Sequence, residues 1–181
     1  MGRLVHTVLA VTPVSWWTLL VAVAGTVLSL VLWRPVVRAS GWGNATTLAS
    51  ALLVTAVLAL TMGPGSASGP GGIRTCVRAA PALVETSVYR ITTSAEALLN
   101  LVFLVPLGVT MVLATRRPVL ATMVILALPG AVELVQTQIP GRVCSGADYV
   151  INVAGGLVGI GIGVLTAAVR GRASRSIRAA R

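Results

Sequence analysis

Residues 131–163 read AVELVQTQIPGRVCSGADYVINVAGGLVGIGIG, and this stretch places charged side chains inside or beside two strongly apolar segments. A carboxylate at bilayer depth costs roughly 2.5 kcal/mol or more, so charges are rare there without a reason. The whole chain holds four acidic residues, and three of them lie within or at the edge of apolar segments long enough to span a membrane. We interpret the stretch as a built polar site that contains Glu133, Gln136, Arg142, Asp148 and Asn152.

The composition predicts an all-α, polytopic membrane helix bundle with about five transmembrane helices. Hydrophobic residues make up 56% of the chain and charged residues 10%, which lies outside the range of soluble globular proteins. The apolar residues are concentrated in runs of about 18 to 22, the length that crosses a bilayer. A chain of 181 residues with five such runs has no room for a separate soluble catalytic domain. The predicted spans are Val14 to Trp33, Ala45 to Met62, Thr93 to Ala114, Pro118 to Gln138 and Asp148 to Val169.

These spans predict four segments along the chain. Residues 1–62 hold two N-terminal membrane helices, and residues 63–92 form an outer loop that contains a short amphipathic helix from Pro81 to Ile91. Residues 93–169 form a three-helix membrane core, and residues 170–181 form a basic cytoplasmic tail.

The basic residues predict the orientation of the chain. All 14 are arginines, and nine of them fall on one side when five spans are threaded. The positive-inside rule makes that side cytoplasmic, and it includes the C-terminus. In a soluble protein this charge would suggest nucleic acid, but here contact with anionic membrane lipids is the favoured interpretation, and no nucleic-acid partner is expected. The nine are Arg34, Arg38, Arg116, Arg117, Arg170, Arg172, Arg175, Arg178 and Arg181.

Each of the last three spans carries an acid and an amide on one helical face. Their spacing is three or four residues, so the two side chains of each pair are neighbours. The threading places all three pairs near the outer ends of their helices, and Arg142 in the last connection is the expected counter-ion. The predicted pocket consists of Glu96, Asn100, Glu133, Gln136, Arg142, Asp148 and Asn152.

Simpler structural roles compete with this interpretation. Thr93-x-x-Glu96 and Ser145-x-x-Asp148 both match a capping box, in which a carboxylate caps its own helix. The two asparagines fit interhelical hydrogen bonds equally well. Glu133 is different because it lies in the last turns of its helix, where the macrodipole disfavours an anion. We therefore expect Glu133 to be paired, protonated or functional.

Metal and catalytic chemistry are weakly indicated. Carboxylate and amide oxygens suit Mg²⁺ or Ca²⁺, but the sequence has no cluster of histidines and cysteines, and we assign no metal and no cofactor. Two carboxylates with an arginine suit acid/base work on a phosphate ester, yet Ser145 has no adjacent base in sequence.

The two cysteines, Cys76 and Cys144, both fall on the outer side in this threading. A disulfide between them would hold the loop of residues 63–92 over the polar site in an oxidising compartment.

The ordered set of these residues resembles the VanZ-like family. It begins with Glu96-Ala-Leu-Leu-Asn100, continues through Pro106 and Gly108, and ends with the polar residues from Glu133 to Asn152 followed by Gly155 and Gly159. The resemblance covers roughly residues 95–163. It implies a small multi-helix membrane protein of a family associated with low-level resistance to the glycopeptide teicoplanin, without a settled mechanism.

Together these features predict a bacterial plasma-membrane protein with an outward-facing polar pocket. The pocket would bind the headgroup of a lipid, a lipid-linked envelope precursor or a glycopeptide antibiotic. Two alternatives are a membrane-embedded hydrolase or transferase acting on lipid-linked substrates, and a small ion-coupled transporter, although the five spans show no internal repeat. The sequence names neither the ligand nor the oligomeric state.

Overall fold

The computed structural model describes residues 15–63 and 83–179, and every regular element in those ranges is an α-helix. Five of the six helices are long and apolar enough to cross a membrane, which confirms the predicted all-α class and the predicted number of spans. The exception is the short helix Leu83–Thr93. The elements are α1 (Trp16–Ser40), α2 (Asn44–Thr61), α3 (Leu83–Thr93), α4 (Ala95–Thr115), α5 (Pro118–Gln136) and α6 (Gly146–Ala179).

Two helices extend further than the hydropathy pattern predicts. Helix α1 continues beyond Trp33 and past Pro35, and it ends only at Gly41, whose left-handed backbone (φ 70°) donates its N–H to the carbonyl of Val37. Helix α6 continues through the basic segment to Ala179, because arginine and alanine are good helix formers. Hydropathy marks where a segment becomes polar, and the helical backbone does not have to end there. The predicted starts at Val14 and Pro81 lie outside the described residues.

Glycines let α4 and α6 pack backbone to backbone. A Cβ on Gly155 would overlap the carbonyl of Leu101, and a Cβ on Gly159 would overlap the carbonyl of Val105. The contacting residue numbers rise together along both helices, so α4 and α6 are parallel. Helix α5 follows α4 after a two-residue turn and returns beside them. The starts of α4 and α6 and the end of α5 therefore lie at one end of the bundle.

The core of the bundle joins four helices between its two ends. The buried cluster at its centre contains Leu104 and Leu107 of α4, Ile125 of α5 and Ile160 of α6. Val57 of α2 belongs to the same cluster. Helix α1 packs mainly on α2, where the hydroxyls of Ser29 and Thr55 lie 3.2 Å apart in a hydrogen bond. Most of the large apolar side chains of α1 are exposed, which fits a helix surface in contact with lipid.

The charges of the chain divide between the two ends of this bundle. The N–H of Gly43, in the turn between α1 and α2, donates to the carbonyl of Ala114 at 3.1 Å, so this turn lies against the end of α4. We call this end the arginine end; it carries Arg34, Arg38, Arg116, Arg117, Arg170 and Arg172. The opposite end, the acidic end, holds the elements that carry all four acids of the chain: Glu85, Glu96, Glu133 and Asp148.

Candidate functional site

Ser145, just before α6, is the point at which three helices meet at the acidic end. Its backbone N–H donates to Oε2 of Glu133 from α5 at 2.8 Å. Its hydroxyl accepts from the N–H of Asp148 at 3.2 Å and from Nη1 of Arg90 from α3 at 3.1 Å. One serine therefore caps α6 and binds both neighbouring helices.

Glu133 accepts the hydrogen bond that the predicted capping box assigns to Asp148. In such a box the acid three residues after the cap would accept the N–H of the capping residue, and here that acid is Asp148. The carboxylate of Glu133 takes this position instead, at 6% exposure. Its place at the end of α5 is unfavourable for an anion, but it lies beside the start of α6, where the macrodipole favours one. The backbone N–H of Ser145, which lies 12 residues further along the chain, thus supplies the hydrogen bond that this buried carboxylate needs.

Asp148 is consequently available to pair with a cation. Its Oδ1 lies 2.7 Å from Nη1 of Arg90, with the two side chains 20% and 27% exposed. The contact is ionic in character, because Oδ1 has no hydrogen-bond partner of good geometry. The prediction that Arg142 is the counter-ion of the acids is therefore wrong for Asp148. The amphipathic helix α3 supplies the counter-ion, because it lies against the first turn of α6.

Arg142 and Gln136 instead bind the end of α2. Nε of Arg142 donates to the carbonyl of Gly63 at 2.9 Å, and Nε2 of Gln136 donates to the carbonyl of Thr61 at 2.8 Å. The last carbonyls of a helix lack intrahelical donors, so Gln136 caps α2, and Arg142 binds the residue that follows the C-cap. The two terminal nitrogens of Arg142 have no hydrogen-bond partner in the described part of the chain. Arg142 also lies within electrostatic range of Glu133.

The remaining residues of the predicted pocket are Glu96 and Asn100 of α4 and Asn152 of α6. Helix α4 is capped by Ser94, whose hydroxyl accepts from the N–H of Ala97 at 3.4 Å, so the predicted cap at Thr93 is one residue off. The backbone of Glu96 lies in the first turn of α4, and its side chain is outside the described structure. Asn152 is buried and Asn100 is half-buried; neither amide forms a hydrogen bond within residues 15–63 and 83–179.

The sequence pattern did not single out Arg90 and Ser87 of α3. The hydroxyl of Ser87 donates to its own helix at the Leu83 carbonyl (2.6 Å), and it lies 3.4 Å from the carbonyl of Ala147 in α6. The signal that could have found them is their spacing of three residues, which places both on one face of this short amphipathic helix.

The geometry of Ser145 describes a cap, and nothing in it activates a nucleophile. An activated serine donates its proton to a base, whereas this hydroxyl accepts two hydrogen bonds and lies beside a guanidinium. Among the described residues, no group of three or more histidines, cysteines, aspartates and glutamates is placed to hold a metal ion.

Cys144 precedes Ser145 directly and is 5% exposed. Its sulfur is disulfide-bonded. The other cysteine of the chain, Cys76, lies outside the described residues, so the pairing of these two remains a prediction.

Comparison with known proteins identifies the family. Neither the curated proteins nor the solved structures contain a match to this chain. A family model described as VanZ/LLP1 matches residues 51–167, which is more than half of the 181 residues. The matched range contains α3 to α5, most of α6 and every residue of the cluster around Ser145. The resemblance that the sequence pattern indicates is thereby confirmed, and the chain belongs to the VanZ/LLP1 family.

Proposed function

We propose that this family member is a multi-pass protein of the bacterial plasma membrane that binds an anionic group of its ligand at its acidic end. The ligand is a lipid-linked envelope precursor or a glycopeptide antibiotic, and its binding links the protein to teicoplanin resistance. The acidic end faces outward and the C-terminus is cytoplasmic. The charge asymmetry of the bundle supports this orientation, because arginine-rich ends of membrane helices remain on the cytoplasmic side.

The observation that carries the proposal is the hydrogen bonding of the Arg142 guanidinium. Its Nε is held by the carbonyl of Gly63, while its terminal nitrogens are unbonded within the described residues. A guanidinium that is fixed at one edge presents its other donors to phosphate or carboxylate. The neighbouring charge of Arg90 is already balanced by Asp148, so Arg142 is the better anchor for an incoming anion.

The acids would position the ligand by keeping the walls of the site in place. Glu133 holds the connection that carries Arg142 against the start of α6, and Asp148 holds α3 through Arg90. The capping geometry of Ser145 favours binding over hydrolysis for this site. The two alternatives are a hydrolase or transferase, which the same preparation can test, and a small ion-coupled transporter.

The test measures binding of two probes to the purified chain in phosphatidylcholine nanodiscs. The probes are teicoplanin and a polyprenyl pyrophosphate. Arg142→Gln should weaken binding of at least one probe about tenfold or more, which corresponds to about 1.4 kcal/mol. Ser87→Ala is the control, because it loosens the same end of the bundle and leaves every charge in place. Wild-type protein that binds neither probe, or an Arg142→Gln variant that binds as wild type does, would refute the proposal. Release of phosphate by wild type would replace binding with catalysis.

A further inference from the structure

A second candidate site lies at the arginine end, opposite the end that holds Ser145. A cavity of about 350 Å³ lies between helices α2, α4, α5 and α6. Arg116 and Arg170 line it together with the hydroxyl-bearing Thr46. The volume falls within the range of small-molecule sites, which begins at about 300 Å³.

The charge around this cavity is of one sign. Glu96 and Asp148 stand at the starts of α4 and α6, Glu133 stands near the end of α5, and Glu85 lies in α3, so the four acidic residues belong to the acidic end. The surrounding positive potential includes Arg117 and Arg172, which are exposed. An anion is therefore the ligand that this cavity favours.

The backbone of Arg116 supports a built site. It has φ 55°, which makes it the one residue other than glycine with a left-handed backbone in the described ranges. Helix ends usually place glycine in this conformation, because a side chain there costs about 1 kcal/mol. The chain carries an arginine at this strained position, and that arginine lines the cavity.

The remaining walls identify the anion as part of an amphiphile. The lining beside Arg116 and Arg170 is apolar and consists of Val112 and Leu113 of α4 and Val164 and Ala167 of α6. On α6 this lining continues onto large exposed apolar side chains, since Leu165 is 68% exposed. A free phosphate ion would gain nothing from such walls, whereas a phospholipid would place its phosphate on the arginines and its chains along α6.

We propose that the cavity between Arg116 and Arg170 binds the phosphate headgroup of an anionic phospholipid from the cytoplasmic leaflet. The site is independent of the proposed headgroup site at the acidic end. It would hold the end of α4, the start of α5 and the turn of α6 that contains Arg170 around one bound lipid.

The test is native mass spectrometry of the full chain released from a neutral detergent. The protein is incubated with equal amounts of phosphatidylglycerol and phosphatidylcholine. Wild type should retain one phosphatidylglycerol in preference to phosphatidylcholine. A double variant, Arg116→Gln with Arg170→Gln, should reduce that occupancy at least fivefold.

A charge-matched control distinguishes lipid binding in this cavity from general electrostatic attraction to the arginine end. Arg38→Gln with Arg172→Gln removes the same two charges from the same end but leaves the lining intact, and it should retain the lipid. Ala167→Phe keeps both arginines and fills the cavity, so it should lose the lipid even if the first double variant does not fold. Equal loss in the control, equal retention of phosphatidylcholine, or displacement of the lipid by millimolar glycerol 3-phosphate would each overturn the proposal.

Discussion

Replacing Glu133 by alanine tests whether its carboxylate holds α5 to the start of α6. The change removes the acceptor of the Ser145 N–H, a charge-assisted bond of 2.8 Å that is worth about 1.5 to 3 kcal/mol. It also leaves a small void at a position that is 6% exposed. Loss of the repulsion between Glu133 and Asp148 offsets part of this cost. We expect Glu133→Ala to lower the free energy of unfolding by about 2 to 3 kcal/mol.

Glutamine at the same position separates the hydrogen bond from the charge. Its amide oxygen can accept from the same N–H, and it is not repelled by Asp148, so Glu133→Gln should cost no more than about 1 kcal/mol. Leu134→Ala is the neighbouring control, because that side chain is half exposed on the same turn. The assay is reversible unfolding in mixed micelles of dodecyl sulfate and a neutral detergent, followed by circular dichroism. Equal losses for alanine and glutamine would show that the hydrogen bond is not what Glu133 contributes.

Three further predictions concern packing, the disulfide and the orientation. Gly159→Leu should cost about 3 kcal/mol or prevent folding, because its side chain meets the backbone of α4, whereas Gly161→Leu faces open space and should be nearly neutral in the same assay. Unreduced protein denatured in dodecyl sulfate should show no maleimide-reactive thiol, and Cys144→Ser should expose one; labelling of unreduced wild type would contradict the disulfide. Green fluorescent protein fused to the C-terminus should fluoresce and alkaline phosphatase at the same place should be inactive; the opposite pattern would reverse the orientation.

The five spans could be predicted from the composition of the sequence. That Glu133 needs a partner could be predicted from its position in the last turns of a span. Five apolar runs need five helices, and a carboxylate in the last turns of one of them needs a partner. The identity of that partner does not follow, because the backbone N–H of Ser145 becomes a candidate only when α5 and α6 are placed side by side. A capping box read along the chain assigns that N–H to Asp148, and the fold assigns it to Glu133.

The counter-ion could not be assigned from the sequence for a related reason. Arg142 is the nearest arginine to both acids along the chain, but its side chain reaches the end of α2. Arg90 is 58 residues before Asp148 and contacts it only because α3 folds back onto α6. Proximity in sequence is a poor guide wherever a short helix crosses the ends of longer ones.

The most direct test of the cluster at the acidic end exchanges the charges of Arg90 and Asp148. Arg90→Asp and Asp148→Arg, made singly, should each destabilise the protein, because each places two like charges at a separation of a few ångströms. The double variant should recover most of the lost free energy of unfolding in the mixed-micelle assay. A double variant as unstable as the sum of the two single variants would show that α3 is not anchored to α6 by this pair, and the proposed site would lose one of its walls.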